Sequence, residues 1–112
     1  MTGSPTFVRP SGADWTAADP GVRRRVLAWD ERLMMVEFAF EKGAVGALHS
    51  HPHVQASYVA KGAFEVTVDG RTETLLPGQG FVVPSGAVHG VRALEEGLLV
   101  DCFTPARADF VS

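Results

Sequence analysis

Cysteine is almost absent from this chain. Cys102 is the only one in 112 residues, so no internal disulfide can form and the fold must rest on buried apolar surface. Long hydrophobic runs are missing as well. No apolar stretch approaches the ~20 residues of a membrane span. The opening MTGSPTFVRPSG lacks the apolar core of a secretion signal, which points to a cytoplasmic protein with no membrane partner. There is no excess of basic charge: a formal net charge of −3 argues against nucleic acid as a partner. A 3.6-residue apolar period is also lacking, and Gly and Pro interrupt nearly every candidate helix. What remains is 46% hydrophobic and 21% charged, the make-up of one ordinary globular domain with a single core.

The pattern that does run through the chain is strand, turn, strand, at the spacing of an all-β sandwich or barrel. Residues 1–21, rich in Gly, Pro, Ser, Thr and Asp, read as an N-terminal arm with at most a short strand at Phe7–Arg9. Residues 22–112 read as the barrel domain. Val22–Trp29 leads through Asp30-Glu31-Arg32 into Leu33–Phe40, where Met34, Val36, Phe38 and Phe40 form one apolar face. Phe64, Val66 and Val68 alternate with polar residues, and Asp69-Gly70 supplies the positive φ angles of a type I′ hairpin into Arg71–Leu75. Pro77-Gly78 and Pro84-Ser85-Gly86 bracket Phe81–Val83, and Glu95-Glu96-Gly97 separates Val88–Ala93 from Leu98–Phe103. Arg23, Arg24 and Arg25 alternate faces on their strand and read as a solvated or interface strand.

Chemistry is concentrated in two stretches, Gly43–Gly62 and Gly78–Ala93. A His-x-His on a strand sends both imidazoles to one face, which brings His49 and His51 within chelating distance of one ion. Gln55 shares their parity, although Pro52 loosens that argument and bends the chain so that His53 turns off the cavity. His89 joins only if the fold carries it across from the second stretch. Together the four side chains would close around one divalent transition metal. Zn, Ni, Co, Mn and Fe all accept imidazole and amide oxygen.

Both stretches resemble the two sequence motifs of the cupin superfamily. In the first, Gly43, five residues, His49-Ser50-His51, three residues, the position of Gln55, six residues and Gly62 follow the family spacing. In the second, Gly78, five residues, Pro84-Ser85-Gly86, two residues, His89, three residues and Ala93 do the same. Two identities depart: Gln55 stands where glutamate is usual and Ala93 where asparagine is. Replacing a carboxylate by an amide leaves the charge of the metal uncompensated, which favours Lewis-acid chemistry over oxygen activation. The resemblance implies a single cupin barrel, a double-stranded β-helix of the jelly-roll type.

Adding the closing Asp101-Cys102-Phe103-Thr104-Pro105-Ala106-Arg107, the chain is similar to the small single-domain cupins of the KdgF type over roughly residues 20–110. That family carries out conversion of 4,5-unsaturated uronate monosaccharides, released from pectin or alginate, into linear keto forms. Val54 stands where it commonly has Glu. The resemblance implies metal ligands His49, His51, Gln55 and His89, a substrate-facing set of Asp101, Phe103 and Arg107, a small anionic sugar acid as substrate, and a homodimer paired through the N-terminal strands. The residues agree with those roles. Asp101 and Phe103 share a strand face, and an Asp among Leu, Val, Cys and Phe is costly to bury unless it is partnered or used as a general acid/base. Arg107 offers a planar fork for a carboxylate. Rival readings are a cupin dioxygenase acting on a small molecule and a non-catalytic protein that binds metal or sugar acid. Ser57 shares the parity of Gln55 and is expected in the pocket, whereas Tyr58 is expected to face away.

Overall fold

A computed structural model describes residues 2–112. The strands are β1 (Thr16–Asp19), β2 (Val22–Asp30), β3 (Leu33–Phe40), β4 (Val45–His49), β5 (Val54–Lys61), β6 (Phe64–Val68), β7 (Arg71–Leu75), β8 (Gly80–Val83), β9 (His89–Ala93) and β10 (Gly97–Thr104), followed by the one-turn helix α1 (Ala108–Val111). They form a six-stranded sheet in the order β1-β2-β3-β10-β5-β8 and a four-stranded sheet in the order β4-β9-β6-β7. Every pairing is antiparallel. This is the all-β architecture that the alternating pattern predicts.

The strand period decides what is inside. On β3, Met34, Val36 and Phe40 are buried, as the apolar face of the sequence requires. On β10 the inward set is Gly97, Leu99, Asp101 and Phe103, and on β5 it is Gln55, Ser57 and Val59, with Tyr58 exposed on the other face. The main core joins both sheets: Val22, Phe40, Val59 and Leu99 from one meet Phe64, Val66 and Ala93 from the other. Phe40 and Phe64 pack edge to face across the gap, ring centroids 5.1 Å apart. A second cluster of Met34, Val36 and Phe103 is covered by Phe110 and Val111 of α1. The buried polar side chains are Gln55, Ser57, His89 and Asp101.

Turn chemistry holds the strands in register. Asp69 (φ 50°) and Gly70 (φ 79°) make the expected left-handed pair of the β6–β7 hairpin. At the β2–β3 turn, Asp30 Oδ1 accepts from the backbone of Arg32 (2.8 Å) and Leu33 (3.1 Å). Gly62 is held at φ 81°, where a Cβ would come within 2.5 Å of the Glu96 carbonyl, so only glycine fits.

The expected arm differs from what is observed. Phe7–Arg9 forms no strand; Pro5 and Pro10 flank it and Phe7 is exposed. The strand in this region is instead β1, which pairs along the edge of β2. Its side chains are mostly exposed, so it forms through backbone hydrogen bonds that leave no apolar alternation to read. Ser4 ties the arm down by donating its backbone N–H to the Trp29 carbonyl at 2.9 Å. Helix α1 was also invisible in the sequence, because four residues carry no period.

Candidate metal centre

Three histidines converge on one point. Their ligating nitrogens all lie within 4.8 Å of one another. His49 ends β4, His89 opens β9, and the two stand directly opposite in the antiparallel register of those strands. His51 is not on a strand, as the His-x-His argument assumed, but in the loop between β4 and β5. That loop is pinned by Gly86, whose backbone N–H donates to the His51 carbonyl at 2.9 Å. The Pro84-Ser85-Gly86 turn thus joins the two motifs as well as redirecting the chain. His53 packs edge-on against the His51 ring but lies outside the convergent set.

The tautomers follow from hydrogen bonding. Each of the three rings has its Nδ1 against a backbone carbonyl: Ala47 for His49 (2.8 Å), His53 for His51 (3.0 Å) and Ala87 for His89 (3.0 Å). A carbonyl can only accept, so each Nδ1 carries the proton and each Nε2 presents a lone pair. Burial lowers the pKa of His89 and of His51, which favours the neutral rings a metal requires. His89 Nε2 is buried and has no hydrogen-bond partner among the described residues. His51 Nε2 faces Gln55 Oε1 at 3.1 Å, two acceptors with no proton between them. A shared cation removes both anomalies, so these donors fit a divalent metal.

Gln55 connects this group to Asp101. Its amide nitrogen donates to Ser57 Oγ (3.0 Å) and to Asp101 Oδ2 (3.3 Å), which aims Oε1 back at the histidines. A glutamate at this position would set two carboxylates against each other. The amide is therefore the residue that can serve both neighbours. Asp101 is 6% exposed and its Oδ1 has no hydrogen-bond partner among the described residues. Burial pushes its carboxyl up to about 7, against the opposing pull of the Ser57 hydroxyl and the Arg107 charge.

The same cavity, ≈ 190 Å³, is lined by His49, Gln55, His89, Asp101, Phe103 and Arg107, so these predicted site residues share one space. Arg107 packs over Phe103 (5.1 Å to the ring centroid) and Phe110 (4.3 Å). Its fork is engaged by Asp109, through Nε at 3.1 Å and Nη2 at 2.9 Å. Among the wall residues that escaped the sequence reading are Asp19, Arg24 and Phe110. Arg23 and Arg25 do lie outward, both stacked on Trp15, and Arg25 pairs with Glu37 at 2.6 Å. Arg24 departs from the expected solvated strand and turns into the cavity. The parity of Val22, Arg24 and Val26 was the signal for it.

The family model described as "Cupin domain" matches residues 36–101, more than half of the chain. The chain belongs to the cupin family. This cupin is 42% identical over 99 residues to the pectin degradation protein KdgF of Dickeya dadantii (strain 3937), a match covering 87% of this chain and 90% of that one. Among solved structures, an RmlC-like cupin from Shewanella frigidimarina NCIMB 400 superposes with a TM-score of 0.91 at 39% identity, covering 98% of this cupin and 99% of that chain. KdgF from Halomonas sp. superposes at 0.88 with 41% identity, covering 95% and 98%. This cupin is thus a homologue of KdgF with a three-histidine cluster suited to a metal. No helix among the described residues is long and apolar enough to cross a membrane.

Proposed function

We propose that this cupin converts 4,5-unsaturated uronate monosaccharides into their linear keto forms. The observation that carries the reading is the meeting of three histidine lone pairs and the Gln55 carbonyl beside a buried Asp101. The likeness to a pectin degradation protein supports the substrate class, a product of polyuronide breakdown. His49, His51, Gln55 and His89 are the proposed ligands. A divalent transition metal held there would act as a Lewis acid on substrate oxygens, with its charge uncompensated by any anionic ligand.

The protein's own residues handle the proton. Asp101 takes the proton of the hemiacetal hydroxyl as the carbon–ring-oxygen bond breaks and the aldehyde forms. The released electron pair becomes an enolate conjugated through the 4,5 double bond. Asp101 then returns the proton to carbon 4, leaving a ketone at carbon 5, so that no atom is gained or lost. Desolvation suits Asp101 to this exchange, because a buried carboxyl holds a proton that an exposed one would release. Arg107 directs its remaining N–H groups toward the substrate carboxylate, and Phe103 shapes the wall on which Arg107 rests.

Metal-loaded protein mixed with lyase-generated unsaturated monouronates should bleach their conjugated absorbance. Clearance no faster than buffer, by wild type and Asp101→Ala alike, overturns the assignment. We further read the protein as a homodimer. An outward row of Met35, Cys102, Ala56 and Val82 crosses four adjacent strands of the larger sheet, and Val82 is 60% exposed there. Sedimentation showing only monomer would end that reading.

A further inference from the structure

Arg24 stands between Val22 and Val26 on the inward face of β2. Across the register it meets Phe38 on β3, whose neighbours Val36 and Phe40 are core. A guanidinium turned into a barrel loses hydration and ordinarily recovers it from a carboxylate. The neighbouring cations have one: Arg25 holds Glu37 and Arg107 holds Asp109. Among the described residues, Arg24 has no ion-pair partner within 4.0 Å. Its Cζ lies 4.2 Å over the Phe110 ring, the ring on which Arg107 also rests at 4.3 Å. Two cations on one aromatic repel each other, and both line the cavity that holds His49, His89 and Asp101. The wall's own carboxylates, Asp19 and Asp101, form no ion pair with Arg24 among the described residues, and an anion entering the cavity would relieve both the repulsion and the missing partner.

We propose that Arg24 joins Arg107 in receiving the ligand's carboxylate and supplies the open fork that makes the site selective for sugar acids over neutral sugars. This rests on the uronate reading above and adds to it the uncommitted fork. Arg107 has given its Nε and Nη2 to Asp109, whereas Arg24 makes no ion pair among the described residues and can offer its fork to the planar, two-bond pair that a carboxylate accepts. Phe110 orients both side chains, so α1 contributes to recognition through the ring it supplies.

The test is calorimetric titration of metal-loaded, full-length protein with D-glucuronate, a saturated acid that does not turn over, and with D-glucose. The wild type should bind glucuronate in preference to glucose. Arg24→Met, which keeps an apolar stem on Phe110, should weaken glucuronate binding by about tenfold or more and leave the affinity for glucose unchanged. Arg24→Lys should restore part of the preference, since it returns the charge without the fork. In kinetics on the unsaturated monouronate, Arg24→Met should raise KM by a similar factor with kcat within about twofold. Thermal melts establish that the variants are folded; if Arg24→Met is not, Arg24→Gln and Arg24→Lys decide by the same titrations. Glucuronate binding unchanged in a folded variant, or a wild type indifferent between acid and sugar, overturns the proposal. Arg24-dependent glucuronate binding without any turnover of unsaturated uronate would instead overturn the ketonisation reading and leave Arg24 its role.

Discussion

Replacing Asp101 by asparagine should make the metal-free protein more stable at neutral pH, by an amount that grows with pH. Asp101 is buried, and its carboxyl titrates at about 7 in place of 3.8 because desolvation penalises the charged form. The sign follows from proton counting. Below pH 4 both folded and unfolded chains carry the proton, and the site costs nothing. Between 4 and 7 the unfolded chain releases it while the folded chain keeps it, so stability falls as pH rises. Above 7 the loss is complete. A displacement of that size is worth about 4 kcal/mol, of which about 3 kcal/mol falls between pH 5 and 8. The asparagine side chain would keep the shape and titrate nowhere. Urea unfolding of wild type and Asp101→Asn in chelator, across pH 5 to 8, isolates the effect because the histidines titrate in both proteins and cancel in the difference. A stability difference that stays flat across that range, or shrinks as pH rises, refutes the reasoning.

Removing the imidazole in His89→Ala should lower affinity for a divalent transition metal by about 100-fold or more, read by metal analysis after dialysis against a weak chelator, while the fold survives. Gln55→Glu removes the donor to Asp101 and sets a second carboxyl against it. The metal-free variant should lose about 1–3 kcal/mol in urea unfolding, and unchanged stability would show that the amide is not what Asp101 requires. Phe64, fully buried against Phe40 between the sheets, should cost about 3–5 kcal/mol when cut to alanine, with no selective loss of metal binding in the fraction that folds.

Residues that alternate along strands were legible before any coordinates. Met34, Val36 and Phe40 are inside because period-two burial is a local property of an extended chain. The Asp69-Gly70 hairpin was equally plain, since few residue pairs tolerate its φ angles. β1 and α1 were not legible: one is held by backbone pairing to β2, the other by Phe110 packing on Phe103 and Phe38, and neither leaves a pattern in its own residues. His51 sits in a loop, so the strand argument that grouped it with His49 reached the right neighbours by the wrong geometry.

By itself, then, the sequence determined the strand alternation, the turns, and the two motif stretches that mark where chemistry is kept, because each depends on residues a few positions apart. Tertiary structure alone decided that His89 lies opposite His49, that Gln55 turns its amide toward Asp101, and that Arg24 shares Phe110 with Arg107. Those contacts join strands distant along the chain, and their directions are set by sheet register and by which buried polar atoms must find partners, quantities that exist only once the barrel has closed.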